Sequence, residues 1–406
     1  MLKKNRLFTP GPTPLLPAAQ TAMAAANVHH RTADFKAVFQ KTLVGLQTFI
    51  GTGNDVVLLA SSGTGAMESS VANLTKPGDK VLVITAGKFG ERWRDLTKTY
   101  GCQVDLLSAP YGQTCALEAI FQKLGANGNG FRAVYVQATE SSTGVRHDVE
   151  GIARLLRETH RHGGDALLIV DAITGLGTTR FDVDGWGIDV IIGGSQKALM
   201  VPPGLAYLAV SERAWKRMEE PHSPVYYFDL RKERKSAAKG ESAYTPAIAL
   251  IAGLAAALDF IAQTGGGDLA AGRDLLIHSA AVSAAMTRAA AQALGLQLYA
   301  DPPGDALTAI TAPKNLDSGA IVKEFRQGFD AVVANGQGEM KGQLFRIAHL
   351  GYFDYLDTIG IIGALEHVIA KVARPANFQF GAALGAAQEV YAQAGNPQIA
   401  GQAVAP

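Results

Sequence analysis

Between about residue 55 and residue 210, short apolar runs rich in β-branched residues alternate with segments of helical period. No other feature limits the fold as much. The runs are Val56–Ala60, Val81–Thr85, Val104–Ser108, Ala133–Ala138, Ala166–Ala172, Val190–Gly193 and Leu205–Val210. Each is too short for a helix and apolar at consecutive positions, which suits a strand covered on both faces. One intervening segment places Val149, Ile152, Leu155 and Leu156 on one helical face. The alternation predicts an α/β fold around a mostly parallel sheet of about seven strands.

Beyond Thr245-Pro246 the texture changes. An Ala- and Leu-rich helical stretch runs to about residue 293, interrupted by Gly265-Gly266-Gly267. A strand is expected near Leu307–Ala312, a helix near Ser318–Phe329, a strand at Leu344–Ala348, and a helix from about Asp354 to Val372 with Asp354 as its N-cap. The resulting division is an N-terminal arm at 1–15, a large domain at 16–265, a smaller α+β domain at 266–373 and a C-terminal extension at 374–406. The proline-rich arm reads as an extended segment rather than an element. The extension is expected to hold one helix, Ala382–Ala394, and then a frayed end.

Charge and composition close off several functions. Thirty-seven basic against 36 acidic residues leave +1, which gives no electrostatic ground for binding nucleic acid or an anionic membrane. The only two cysteines, Cys102 and Cys115, exclude a disulfide-built scaffold and read as small buried apolar side chains. The adjacent His29 and His30 point in different directions and have no acidic or Cys partner at ligand spacing, so no metal site is expected. The basic start lacks an apolar signal core, and the most apolar stretch, 247–258, is too short to span a bilayer. A cytoplasmic location is the expectation.

Two polar residues stand where open α/β sheets hold ligands, at the carboxyl ends of their strands. Lys197 follows the run Val190–Gly193 on a Gly-Gly turn. It is either a surface lysine opening a loop or a partly desolvated amine with a lowered pKa, fit to form a Schiff base. Asp171 ends the apolar run 166–170. It either caps the turn at Ile173-Thr174-Gly175 or holds a protonated heterocyclic nitrogen, since a carboxylate there needs a partner. Such a pair on strand ends of one sheet is what pyridoxal phosphate requires. Ser61-Ser62-Gly63-Thr64-Gly65 then leads from a strand into a helix, a turn that either caps the helix or offers N–H groups to an anion. It completes neither a P-loop nor a dinucleotide fingerprint.

Ser62–Glu68, Glu140-Ser141-Ser142-Thr143-Gly144, Asp171, Ser195-Gln196-Lys197-Ala198-Leu199 and Pro202-Pro203-Gly204 together resemble the class V aminotransferases. The nearest branch is alanine–glyoxylate and serine–glyoxylate (serine–pyruvate) aminotransferase. Thr9–Thr13, His29–Thr32, Tyr244-Thr245-Pro246 and Phe345–Gly351 extend the likeness over about residues 7–372. The resemblance implies fold type I and pyridoxal 5′-phosphate as cofactor. Lys197 would carry the internal aldimine and Asp171 would pair with the ring nitrogen. Ile173 and Phe89 would cover the two ring faces, and Ser141 would bond the 3′-oxygen. Ser62, Gly63, Thr64 and Gln196 would hold the phosphate. Thr245 would reach the phosphate of the neighbouring subunit, so that a homodimer shares its active sites. Arg346 would clamp the substrate carboxylate, with the Gly11 backbone closing the same end. Relatives often carry Tyr where this chain has Ser242, and His where it has Thr64.

The activity so implied is ping-pong transfer of an amino group from serine or alanine to glyoxylate or pyruvate. One alternative is a lyase or desulfurase of the same fold, although this chain has no cysteine after residue 115 to carry sulfur. Another is a nucleotide-binding α/β protein. The segment Val225–Lys235 is either a cover for the site or dimer seam, or a solvated basic loop with an aromatic anchor.

Overall fold

The computed structural model describes residues 2–394. Its main sheet has seven strands in the order Asp55–Leu59, Ala206–Val210, Val190–Gly194, Leu167–Asp171, Ala133–Gln137, Lys80–Thr85, Gln103–Ser108. Ala206–Val210 runs antiparallel to both neighbours, and every other pairing is parallel. Each of the expected runs is a strand here. Alternation explains why they are apolar throughout. Val56, Leu58, Leu82, Ile84, Val134, Val136, Leu168 and Val170 enter one core, while Val57, Leu59, Val81, Val83, Tyr135, Leu167 and Ile169 enter another on the opposite face. Helices Ala33–Ile50 and Val149–Arg161 supply the first core, and Gly63–Leu74 and Lys88–Thr99 the second.

Gly193, inside the expected run, and Gly194 both belong to the strand, so the turn that seats Lys197 begins after the glycine pair rather than on it. Tyr207 lies opposite Gly193 in the antiparallel register, and its ring comes within 2.2 Å of where a Cβ on Gly193 would sit. Gly193 is therefore a packing requirement of the sheet.

A second sheet has the order Arg6–Phe8, Ala331–Asn335, Leu344–Ala348, Leu307–Thr311. Its first strand corrects the expectation of a wholly irregular arm. Arg6–Phe8 pairs in parallel with Ala331–Val333, and Phe8 is buried with its ring edge-on to Phe353 at 5.7 Å. Pairing satisfies an edge that would otherwise lie open. On Leu344–Ala348, Phe345 and Ile347 enter the core beneath helices Ser318–Phe329 and Tyr355–Val372. Arg346 and Ala348 consequently face the other way, toward the main sheet's carboxyl edge.

The glycine triplet splits the long helical stretch into Ile248–Thr264 and Leu269–Ala293, bent by 83°. Asp268 caps the second helix through the N–H groups of Ala270 and Ala271. No single helix among the described residues is long and apolar enough to cross a membrane. Asp354 caps Tyr355–Val372 in a reciprocal capping box with Asp357. The helix Ala382–Ala394 forms as expected, and the frayed end expected after it lies outside the described residues.

Gly193→Ala should therefore lower stability by about 1–3 kcal/mol, the usual cost of overpacking a filled core. Urea denaturation of the cofactor-free protein measures this, and an unchanged midpoint would show that the Tyr207 ring moves aside freely.

Candidate active site

Asp171 and Lys197 stand at the carboxyl end of the main sheet, on adjacent parallel strands and the turn that follows. They share one cavity of about 210 Å³ with Gly11, Ser62, Gly63, Thr64, Phe89, Ser141, Ile173 and Gln196. The structure thus brings most of the expected residues together. Arg346 sits behind the wall, and Thr245 lies elsewhere.

The arm holds Lys197 in place. Thr13 is buried, its N–H and hydroxyl donate to the Gln196 carbonyl at 3.3 and 3.2 Å, and the hydroxyl also reaches the Lys197 carbonyl at 3.0 Å. Leu16 N–H continues the seam to the Met200 carbonyl. Lys197 Nζ donates to the Pro10 carbonyl. Gly11, at φ +139°, passes so close that a Cβ there would lie 2.5 Å from Nζ, so only glycine lets the arm cross the lysine.

Burial sets the charges. Lys197 is 9% exposed, and desolvation pulls its amine down to about 8, against the opposing pull of Asp171. Desolvation pushes the Asp171 carboxyl up to about 6; the Ile173 N–H, bonded at 2.9 Å, works against that rise, and Glu140 adds to it. Asp171 therefore does cap its turn, while its carboxylate also lines the cavity. Gln137 is its neighbour in the parallel register, and neither amide atom of Gln137 has a protein partner.

Sequence reasoning quoted Glu140 within a motif but gave it no role. It is fully buried, and its carboxylate accepts from Phe89 N–H and Gly90 N–H at 3.0 Å each, and from Ser142 N–H at 3.1 Å and Ser142 Oγ at 2.6 Å. It thereby caps the helix Lys88–Thr99, whose own N-cap, Gly87, offers no side chain. This fixes Phe89 against the cavity and joins it to the loop bearing Ser141. Arg92 was also missed. One turn on from Phe89, it lines the cavity, donates to Thr64 Oγ1 at 2.8 Å and lies 4.8 Å over the Phe89 ring. A cap supplied from 50 residues away, and a hydroxyl partner 28 residues away, leave no local signal in a sequence.

Arg346 is buried, and its terminal nitrogens donate to the carbonyls of Ser141 at 2.6 Å and Asn335 at 2.5 Å. Its Nε has no partner, and burial brings its pKa down to about 10 against the opposing influence of Glu140. Thr245 is exposed and lines a separate small pocket with Ala60, Tyr227 and Tyr244. Ser242 spends its hydroxyl on the Tyr244 carbonyl, and Tyr244 stacks on Tyr227 and donates to the Tyr226 carbonyl. Phe228 anchors the segment before the basic helix Leu230–Ala237. Neither Cys102 nor Cys115 lines the cavity, and burial pushes the Cys115 thiol up to about 11. The His29 and His30 rings lie 4.5 Å apart, tilted by 32°, so the two side chains sit side by side rather than pointing in different directions as expected.

A family model described as Aminotransferase class-V matches residues 17–286. The chain belongs to the class-V aminotransferases. This aminotransferase is 37% identical to a Synechococcus protein named soluble hydrogenase, small subunit, over 97% of its own length and 100% of that protein's. It is 33% identical to the L-aspartate–glyoxylate aminotransferase of Paracoccus denitrificans, over 97% of this chain and 98% of the other. The solved aspartate aminotransferase of Thermus thermophilus superposes with a TM-score of 0.83 at 33% identity, covering 91% of this chain and 100% of that one.

The aminotransferase takes pyridoxal 5′-phosphate, and the chemistry of this cavity's lining fits that group. Ser62 heads the helix Gly63–Leu74 without using its side chain as a cap, so its hydroxyl is free beside the helix N-terminus. Gln196 also lines the cavity, and its side-chain amide N–H is the donor it can offer an anion. A Cβ on Gly63 would lie 2.2 Å from Ile173 Cδ1, so glycine there lets the isoleucine lie beside the helix start.

Between about 8 and the ordinary 10.5, the unfolded chain binds more protons at the Lys197 amine than the folded one, so stability rises with pH across that window. Lys197→Met should flatten this rise in the cofactor-free protein, read as urea midpoints against pH. An unchanged slope would contradict a desolvated amine.

Proposed function

We propose that this aminotransferase moves an amino group from a small amino acid, serine or alanine, to glyoxylate or pyruvate in a ping-pong cycle. The observation that carries the reading is the desolvated Lys197 amine sharing a cavity with the Asp171 carboxylate, with uncharged anion donors at a helix start nearby. The small-donor assignment rests on the motif likeness. Relatives named serine–glyoxylate aminotransferase and a solved alanine–glyoxylate aminotransferase support it, while others are named for aspartate. The soluble hydrogenase names of two relatives find no support in a cavity lined by the pair that amino transfer needs.

In this reading Ser62, Gly63, Thr64 and Gln196 hold the phosphate end of the cofactor, Ile173 and Phe89 its two faces, Ser141 its 3′-oxygen and Asp171 its ring nitrogen, with Lys197 as the point of attachment. When bound, the cofactor supplies an electron sink for negative charge on the substrate's α-carbon. A carboxylate held at the ring nitrogen keeps that sink effective. Lys197, with its amine near neutrality, takes the proton from the α-carbon and later returns one. Arg346 is assigned the substrate carboxylate on the motif likeness; it lies behind the cavity wall, with its planar fork held on the carbonyls of Ser141, a lining residue, and Asn335. The arm across Lys197 shields that end from water. Thr245, exposed and outside its own chain's cavity, serves the cavity of a second copy in a homodimer.

Lys197→Ala should reduce amino transfer by at least about 10²–10⁴-fold, the range for a positioned general base. Serine, alanine and aspartate crossed with glyoxylate, pyruvate and 2-oxoglutarate should show preference for the two small acceptors and parallel double-reciprocal plots. Dominant use of 2-oxoglutarate, or retained turnover in the variant, would contradict the proposal.

A further inference from the structure

The residues proposed for the phosphate end, Ser62, Gly63, Thr64 and Gln196, carry no charge. A bound phosphate ester holds nearly two negative charges at neutral pH, and a helix N-terminus contributes only about half a positive charge. An anion held in a partly closed cavity without a cation would be costly. Among the described residues, two cations line the cavity, Arg92 and Lys197. Lys197 is directed at the Pro10 carbonyl and coupled to Asp171. Arg92 instead donates to Thr64 Oγ1 at 2.8 Å, so its guanidinium already lies at the helix start that carries the anion donors. The Phe89 ring beneath it, 4.8 Å away, limits its swing.

We propose that Arg92 is the counter-charge of the cofactor phosphate, acting on the phosphate end directly or through Thr64, and so fixes the selectivity for the phosphorylated cofactor. A guanidinium suits this task because its fork keeps N–H groups free for an oxyanion while one holds Thr64. The inference rests on the cofactor reading above.

The test compares two aldehydes that differ only in the phosphate. Cofactor-free wild type and Arg92→Gln are titrated with pyridoxal phosphate and with pyridoxal, following absorbance of the bound aldehyde. Arg92→Gln should weaken pyridoxal phosphate binding by about 10–100-fold, the scale of a charged hydrogen bond. Binding of pyridoxal should change less than about twofold on the same scale. Arg92→Lys, which keeps the charge without the fork, should recover part of the loss and guards against a folding defect in the first variant. Equal weakening of both aldehydes would reduce Arg92 to a support for Phe89 and overturn the proposal, as would no change in either. A wild type that binds neither aldehyde would instead overturn the cofactor reading and this assignment with it.

Discussion

Taking a lysine amine and an aspartate carboxylate out of water at one sheet edge is the constraint that the rest of this structure serves. Either group alone would be expensive in a dry cavity, and each moves toward neutrality for that reason, the amine to about 8 and the carboxyl to about 6. Their opposite charges temper both shifts. A fold that only needed stability would have placed apolar residues there. Holding the pair ready for a charged ring and a reacting carbon makes the expense intelligible.

The surroundings keep that pair fixed from several directions. The arm bonds across the Lys197 turn through Thr13 while Arg6–Phe8 extends the second sheet, so one short segment ties the two sheets over the cavity. Glu140 caps the helix bearing Phe89 and Arg92, and the loop it belongs to presents the Ser141 carbonyl to Arg346. The proposed cofactor face at Phe89 and the proposed substrate clamp at Arg346 are thereby referred to one buried carboxylate. Arg346 points there because Phe345 and Ile347 are claimed by the core on the other side of their strand.

Much of this was legible in the sequence, and the reasons are local. The main-sheet strands other than the edge strand Gln103–Ser108 were visible because both of their faces are buried, and Asp171 and Lys197 stood out because each breaks that apolar rule. The helices Ser318–Phe329 and Ala382–Ala394 matched their expected bounds, their spacing being undisturbed by chemistry. Arg6–Phe8 and Ala331–Asn335 were hidden, because a three-residue strand next to prolines, and a short run following a helix, acquire their meaning only on pairing. The role of Gly193 was misplaced because the Tyr207 ring that demands it comes from another strand. Glu140 and Arg92 were missed for the same reason: the Phe89 and Gly90 N–H groups that Glu140 holds, and the Thr64 hydroxyl that Arg92 reaches, lie far along the chain.

The central claim is a covalent one and can be tested by mass. The protein loaded with pyridoxal phosphate is reduced with borohydride, which converts the link between amine and aldehyde into a stable secondary amine, then digested and mapped. The account predicts the phosphopyridoxyl mass on the peptide that contains Lys197, and only there. Label on a different lysine, or a saturated protein from which no labelled peptide can be recovered, would contradict it.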